Sequence, residues 1–469
     1  MNIERHAIKW LAAIVVIIGT LIGLTSCGGG GYGGGGSGSS YAMPTVSFSS
    51  PANAMTINLG QSLKLAWSST YASSCTASTS SSYGGTFSGA QNINGTQSVA
   101  PTAAGSVTYM LSCIGSGGSA SATSATVTVN PSILSTLKTI TTIGSTLDPI
   151  EHGGNPYGLG IAPITSGLIT AGDLVACNFN DGATNTQGLG TTLIGLHPVA
   201  GATPYRIAQS MQLEGCGGLS VFPDDSISVT AFSSSLVPLV ASNGTINNPF
   251  GAYTFHGPWG QTYAMPTSGQ PALYVSDQLN GTINRITLNG DTPSGFTEIV
   301  TGFCGFGGPG TVFAPAGLTY DPSIDTLYVV DTSSYSVVAF ANVSAIGADG
   351  VVVNGNCSAV TPTPVPTFSG PSGSSAKIIA NGGQFNAPLS AALLMDGDLV
   401  VSNADINGPP TTNLLFEISP SLGVVGSPIQ LDSGAAGALF GLAATTDSGG
   451  NQIIYFNDDN DNTVKVLSK

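Results

Sequence analysis

Leu327-Tyr328-Val329-Val330-Asp331-Thr332 is the stretch on which the fold turns. Four apolar residues run into an aspartate and a Ser/Thr turn, as in a short strand buried on both faces. The figure returns as Leu273-Tyr274-Val275-Ser276-Asp277, Leu399-Val400-Val401-Ser402-Asn403, Ile453-Ile454-Tyr455-Phe456-Asn457 and Leu174-Val175-Ala176-Cys177-Asn178. A degenerate sixth copy is Ile227-Ser228-Val229-Thr230-Ala231. After each turn a further strand follows, such as Ser336-Val337-Val338-Ala339-Phe340. Before each comes another, often opened by glycine: Gly158-Leu159-Gly160-Ile161, Gly218-Leu219-Ser220-Val221, Gly317-Leu318-Thr319-Tyr320 and Gly441-Leu442-Ala443-Ala444. The third and fifth copies use Gly260-Gln261-Thr262-Tyr263 and Leu389-Ser390-Ala391-Ala392. From Asn178 to Asn457 the five steps average about 56 residues.

A three-strand unit repeated six times predicts a propeller. The pattern resembles the NHL-repeat class of β-propeller, with Tyr328-Val329-Val330-Asp331-Thr332 as its nearest match, and the resemblance implies six blades over residues 140–469. The Asp or Asn at each strand end reads as a turn cap, its side chain accepting from backbone N–H groups. In the last copy, Asn457, Asp459 and Asp461 alternate as oxygen ligands of a calcium loop do, without the bidentate Glu such a loop needs.

Composition agrees with an all-β chain. Charged residues make up 7% of the 469, against about 25% in an average domain. Gly (65) and Pro (28) are abundant, and hydrophobic residues at 41% leave ample material for cores. Nine basic residues against 24 acidic ones exclude nucleic acid as a partner, because no basic patch exists to neutralise phosphate.

Residues 1–26 read as a signal peptide: Arg5 and Lys9, then an apolar run from Trp10 to Leu24. The run is short for a spanning helix. It ends in Leu24-Thr25-Ser26-Cys27, which resembles the lipobox of bacterial lipoproteins. The resemblance implies cleavage before Cys27 and acylation of that cysteine as the membrane anchor. Gly28 rather than Asp follows it, which by the same resemblance favours the outer membrane. Residues 27–43 are mostly Gly and Ser, a flexible tether.

Residues 44–130 form a second unit. Leu63, Leu65 and Trp67 alternate onto one face, as do Val107, Tyr109, Leu111 and Cys113. Short strands between Ser/Gly turns predict a β-sandwich. The stretch resembles bacterial Ig-like surface domains, carried by Trp67, Cys75 and Cys113, although Trp67 precedes both cysteines. The role expected is a stalk or adhesive spacer.

Six cysteines follow the anchor: Cys75, Cys113, Cys177, Cys216, Cys304 and Cys357. An even number in an exported chain reads as disulfides. Cys75 and Cys113 lie in one small unit and pair there. The other four admit three pairings, of which Cys177–Cys216 and Cys304–Cys357 are the most local. Zinc has no CxxC motif and only three scattered histidines after the leader.

In propellers the loops entering the innermost strands line the channel mouth. Here they supply Tyr157, His256, Trp259, Phe385, Asn386 and Phe440. These residues either bind a sugar or peptide on their aromatic faces or plug the channel as core. Catalytic residues are sparse: the propeller holds Glu151, Glu214, Glu298 and Glu417, none at the start of an innermost strand, and no GxSxG. No catalytic residue can be assigned, and no cofactor apart from that candidate calcium. A 72-residue step between the fourth and fifth copies carries Thr361-Pro362-Thr363-Pro364-Val365-Pro366, a surface excursion that serves a partner or merely decorates.

The chain thus reads as an N-terminal Ig-like β-sandwich followed by a six-bladed β-propeller, lipid-anchored in the envelope. Its expected task is non-catalytic binding of protein, peptide or glycan. The rivals are a metal-dependent hydrolase or lyase in the channel, and a purely structural surface-layer component.

Overall fold

Every repeat begins with a strand that carries one residue too many. The innermost strands are Gly154–Ile161, Cys216–Val221, Pro258–Ala264, Pro315–Asp321, Pro388–Leu393 and Leu439–Thr446. Each pairs antiparallel with the apolar strand after it. In each, the register slips by one residue between Pro156 and Leu159, Cys216 and Leu219, Pro258 and Gln261, Pro315 and Leu318, Pro388 and Ser390, or Leu439 and Leu442. The same place in each slip is taken by Gly158, Gly218, Gly260, Gly317, Ser390 and Gly441. Bulges of this kind bend a strand and increase its twist. Repetition around a ring explains them: a β-carbon on Gly260 would lie 2.0 Å from the carbonyl oxygen of Ala316 in the next blade.

These strands open six sheets, each packed against the next, and the sixth returns to the first. The architecture is a six-bladed β-propeller. The computed structural model describes residues 41–267, 269–309, 313–355, 357, 362–383, 385–403 and 413–469. The stretch read as a signal peptide, Cys27 and the segment read as a tether as far as residue 40 lie outside the described residues. Blade 6 is completed by Thr139–Ser145, which pairs antiparallel with Thr463–Ser468, so the ring is closed by strands from both ends of the propeller sequence.

The second strands tie neighbouring blades together. Pro258 faces Asp277, Pro315 faces Asp331 and Leu439 faces Asp458. In blade 6 the strand-end residue is therefore Asp458, one later than the Asn457 expected from the sequence. Asn457 occupies the preceding position, where side chains reach across to the next inner strand. Its amide donates to the Gly158 carbonyl at 3.0 Å, Ser276 donates to Ala316 at 2.9 Å and Ser402 to Leu439 at 3.3 Å. Thr230 donates to the Trp259 carbonyl in the same way. In blade 1 this position is Cys177, and a disulfide to Cys216 replaces the hydrogen bond. Strand-end acids cap turns as expected: the N–H of Ser333 donates to Asp331 and that of Asn460 to Asp458, both at 3.1 Å.

The proline-rich excursion does not hang free. Val351–Asn354 adds in parallel to the outer strand of blade 3, and Thr367–Ser369 adds to it in turn, covering that sheet's edge. Arg285 in blade 3 donates to the carbonyls of Ser344 at 2.7 Å and Ile346 at 2.9 Å, and Cys304–Cys357 bridges the two segments.

Residues 45–130 form three small sheets around a common core. Leu65, Trp67, Phe87, Tyr109, Leu111 and Val127 are buried there, and the Cys75–Cys113 disulfide joins directly opposed residues of two strands. Val425 from the outer strand of blade 5 enters the same core. This unit is therefore not strung out ahead of the propeller but is seated on blade 5.

Candidate functional site

The glycine bulges bring six inner strands close together without filling the axis. Between them lies a cavity of about 420 Å3, lined from all six blades. Its walls combine glycine backbone with aliphatic side chains such as Leu159, Leu219, Leu318 and Leu442, and with hydroxyls or amides from Ser220, Gln261, Thr262, Tyr263, Thr319 and Ser390. No carboxylate, imidazole, lysine or arginine is among the described residues that line it. In a chain of formal charge −15, the described residues lining the cavity carry no charge. Part of the polarity is already used: Gln261 donates to the Gly218 carbonyl at 3.0 Å and to the Ser228 carbonyl at 2.9 Å, and accepts from the Ser228 hydroxyl at 2.8 Å.

One end of the cavity is floored by rings. Tyr157 lies flat between Phe440, at 3.8 Å between centroids, and Phe179, at 4.2 Å. Trp259 sets its edge against both Tyr157 and Phe179, at 5.1 and 5.5 Å, and Phe232 meets Trp259 at 5.7 Å. Stacked and edge-on contacts of this kind add to the burial of large apolar areas. Burial pushes the Tyr157 hydroxyl far above the ordinary phenol range, and the nearby Asp459 carboxylate adds to the effect. Asp459 is itself pushed up to about 6 by burial, with Asp458 contributing.

Of the residues expected at the mouth, the structure brings Tyr157, Trp259 and Phe440 together. Phe385 is buried in the same apolar cluster, against Phe416 at 5.0 Å. Asn386 sits beside it, its N–H donating to Asn403 at 3.2 Å. His256 is exposed on the rim; its N–H donates to the Asp277 carboxylate, and its Nδ1 lies 2.9 Å from the Asn280 amide. Phe179 and Phe232 were missed. Each follows a second strand's end position directly, Asn178 and Ala231, so inspecting that position of the repeat would have found both.

The acidic turn of blade 6 holds no assembled oxygen shell of the calcium-loop kind. Lys465 Nζ contacts Asp458 at 2.6 Å and Asp461 at 2.8 Å, where a cation would otherwise sit, while Asn457 turns toward blade 1.

No family model matches the chain, and no curated protein matches it. Among solved structures it is similar to a virginiamycin B lyase from Staphylococcus aureus with quinupristin (14% identity, 78% of this chain and 91% of that one, TM-score 0.38). It is also similar to the PQQ-bound aldose sugar dehydrogenase of Streptomyces coelicolor (14%, 72% and 99%, TM-score 0.40). A third is the calcium-binding protein regucalcin from Agrobacterium tumefaciens (12%, 69% and 88%, TM-score 0.35). None of these likenesses transfers an activity to this chain.

Proposed function

We propose that this is an exported lipoprotein, anchored through Cys27 in the outer membrane, whose propeller is a non-catalytic binding module for a protein, peptide or glycan. The N-terminal unit is read as an Ig-like sandwich that presents the propeller, and the propeller as of the NHL type. One observation supports the binding reading above its rivals: among the described residues, the axial cavity is lined by hydroxyls, backbone, aliphatic side chains and aromatic rings and by no charged side chain. Its volume falls in the roughly 300–1,000 Å3 span of small-molecule sites. Such walls suit an uncharged ligand with one apolar face, such as a sugar ring or a neutral peptide segment. A metal-dependent hydrolase or lyase would need carboxylate or imidazole ligands on the axis, and the described lining residues offer none.

Trp259 on the cavity floor provides the test. Neutral oligosaccharides and uncharged peptides titrated into the full-length protein are expected to change tryptophan fluorescence saturably. Trp259→Phe should abolish that signal while leaving emission from Trp67. A panel that yields no saturable change, together with metal-dependent turnover of a lactone or ester, would sink the binding reading and revive the rival.

A further inference from the structure

A second cluster of polar groups lies away from the axis, at the seam between the N-terminal unit and blade 5. The turn between the first two strands of that blade contains Asp396-Gly397-Asp398, and Glu417 sits on its third strand. One oxygen of each carboxylate lies within 4.8 Å of the other two. Two oxygens each about 2.4 Å from a single calcium ion stand at most about 4.8 Å apart. Asp398 is 4% exposed and Glu417 1%. No lysine, arginine or histidine pairs with any of the three among the described residues; the ion pairs lie at Asp148, Glu151, Asp173, Asp458 and Asp461.

The surroundings close over the cluster without neutralising it. Asn58 donates to Asp396 at 3.4 Å, and the N–H groups of Ile133 and Leu134 donate to the two oxygens of Glu417 at 3.0 and 2.5 Å. Gly60, at φ +101°, packs where a β-carbon would come within 3.0 Å of Asp398 Oδ2. That Oδ2 is enclosed and makes no hydrogen bond of normal geometry, although the Ser419 hydroxyl lies close enough to act on the carboxyl. The neighbouring Ser419 hydroxyl donates to the Gly60 carbonyl at 3.0 Å instead. A buried carboxylate oxygen without a donor, beside two further carboxylates, must be neutralised by a proton or by a bound cation, and three oxygens within 4.8 Å of one another provide a seat for the cation.

We propose that Asp396, Asp398 and Glu417 of blade 5 bind a divalent cation, calcium foremost, beneath Asn58 and Gly60 of the N-terminal unit. Oxygen-only ligation by three carboxylates selects a hard ion over a transition metal. Hydroxyls and water complete the shell. The site lies outside the cavity, so it stands or falls independently of the ligand bound there.

Full-length protein stripped with EDTA and titrated with calcium chloride by calorimetry is expected to take up one ion at this seam. Its thermal unfolding should rise with calcium. Asp398→Asn keeps the shape and removes one charge. It is expected to weaken uptake at least a hundredfold, and to unfold no lower than the stripped parent because it relieves like-charge crowding. Asp461→Asn, in the turn already neutralised by Lys465, should retain the parent's affinity. Should Asp398→Asn fail to fold, the half-buried Asp396→Asn gives the same reading. The proposal is overturned if stripped protein takes up no calcium, if both neutralised variants bind as the parent does, or if uptake is lost in Asp461→Asn instead.

Discussion

The main chains of Gly260 and Ala316 approach so closely that a β-carbon on the glycine would stand 2.0 Å from the Ala316 carbonyl oxygen. Gly260→Ala must therefore push apart two inner strands at the tightest part of the ring. The expected loss is about 3 kcal/mol or more, in the range of severe overpacking. Gly308→Ala, with nothing within 4 Å of the added carbon, should change stability by no more than about 0.5 kcal/mol. Urea unfolding of both variants checks the contrast, and equal losses would mean that the ring relaxes freely.

At the junction of blades 1 and 2, Cys177–Cys216 replaces the hydrogen bond used at other junctions, closing a loop with a sequence separation of 39. Loop entropy for that length corresponds to about 4 kcal/mol. The double variant Cys177→Ala/Cys216→Ser keeps a hydroxyl at the inner strand. Even so, it is expected to lower the unfolding free energy by most of that amount. A drop under about 1 kcal/mol would show that the bridge is incidental.

The ring stack makes a separate prediction. Tyr157→Phe keeps both stacked faces, loses only the hydroxyl and its hydrogen bond with Asn155, and should cost about 1 kcal/mol. Tyr157→Ala removes the middle ring and should cost about 3–5 kcal/mol. It should also shift Trp259 emission to the red as water enters the floor. An unshifted spectrum in Tyr157→Ala would show that the floor collapses to fill the gap.

Stability should also fall as the pH rises from acid. Burial pushes Asp277 up to about 6, against hydrogen bonds from the His256 N–H and Asn280 and with repulsion from Glu298. A carboxyl whose folded value lies above its unfolded one, near 3.9, favours folding most when protonated. Its contribution is complete below about pH 4 and lost as pH climbs through about 6. Asp459 acts in the same direction. Asp277→Asn should flatten this slope by up to about 3 kcal/mol. Denaturant melts across that window decide the matter, since parallel curves for parent and variant would refute the assignment.

Much of this was legible because a buried strand advertises itself. Leu327-Tyr328-Val329-Val330 and its copies are apolar on both faces, and their spacing fixed the number of blades. The glycines were visible too, although their reason, contact with the next blade's backbone, needed coordinates. Other elements left faint traces. Leu239–Val240 and Ile246–Asn247 are two residues each, too short for any period to register. Thr139–Ser145 has no copy of the repeat around it, being one strand of a blade whose other three lie at the opposite end. The choice between Asn457 and Asp458 was undecidable locally, since either caps a turn; only the pairing with Leu439 separates them. Asp396 and Asp398 stand about 20 residues from Glu417 with nothing local to link them; only the fold gathers the three under Gly60.

The closure of blade 6 has a consequence for biosynthesis. Residues 139–145 wait for residues 463–468, so the emerging chain keeps an unsatisfied strand edge until almost the whole propeller has been made. Contacts this distant in sequence form slowly. A chain that stops short of residue 463 leaves that edge open, a ready template for pairing with another chain.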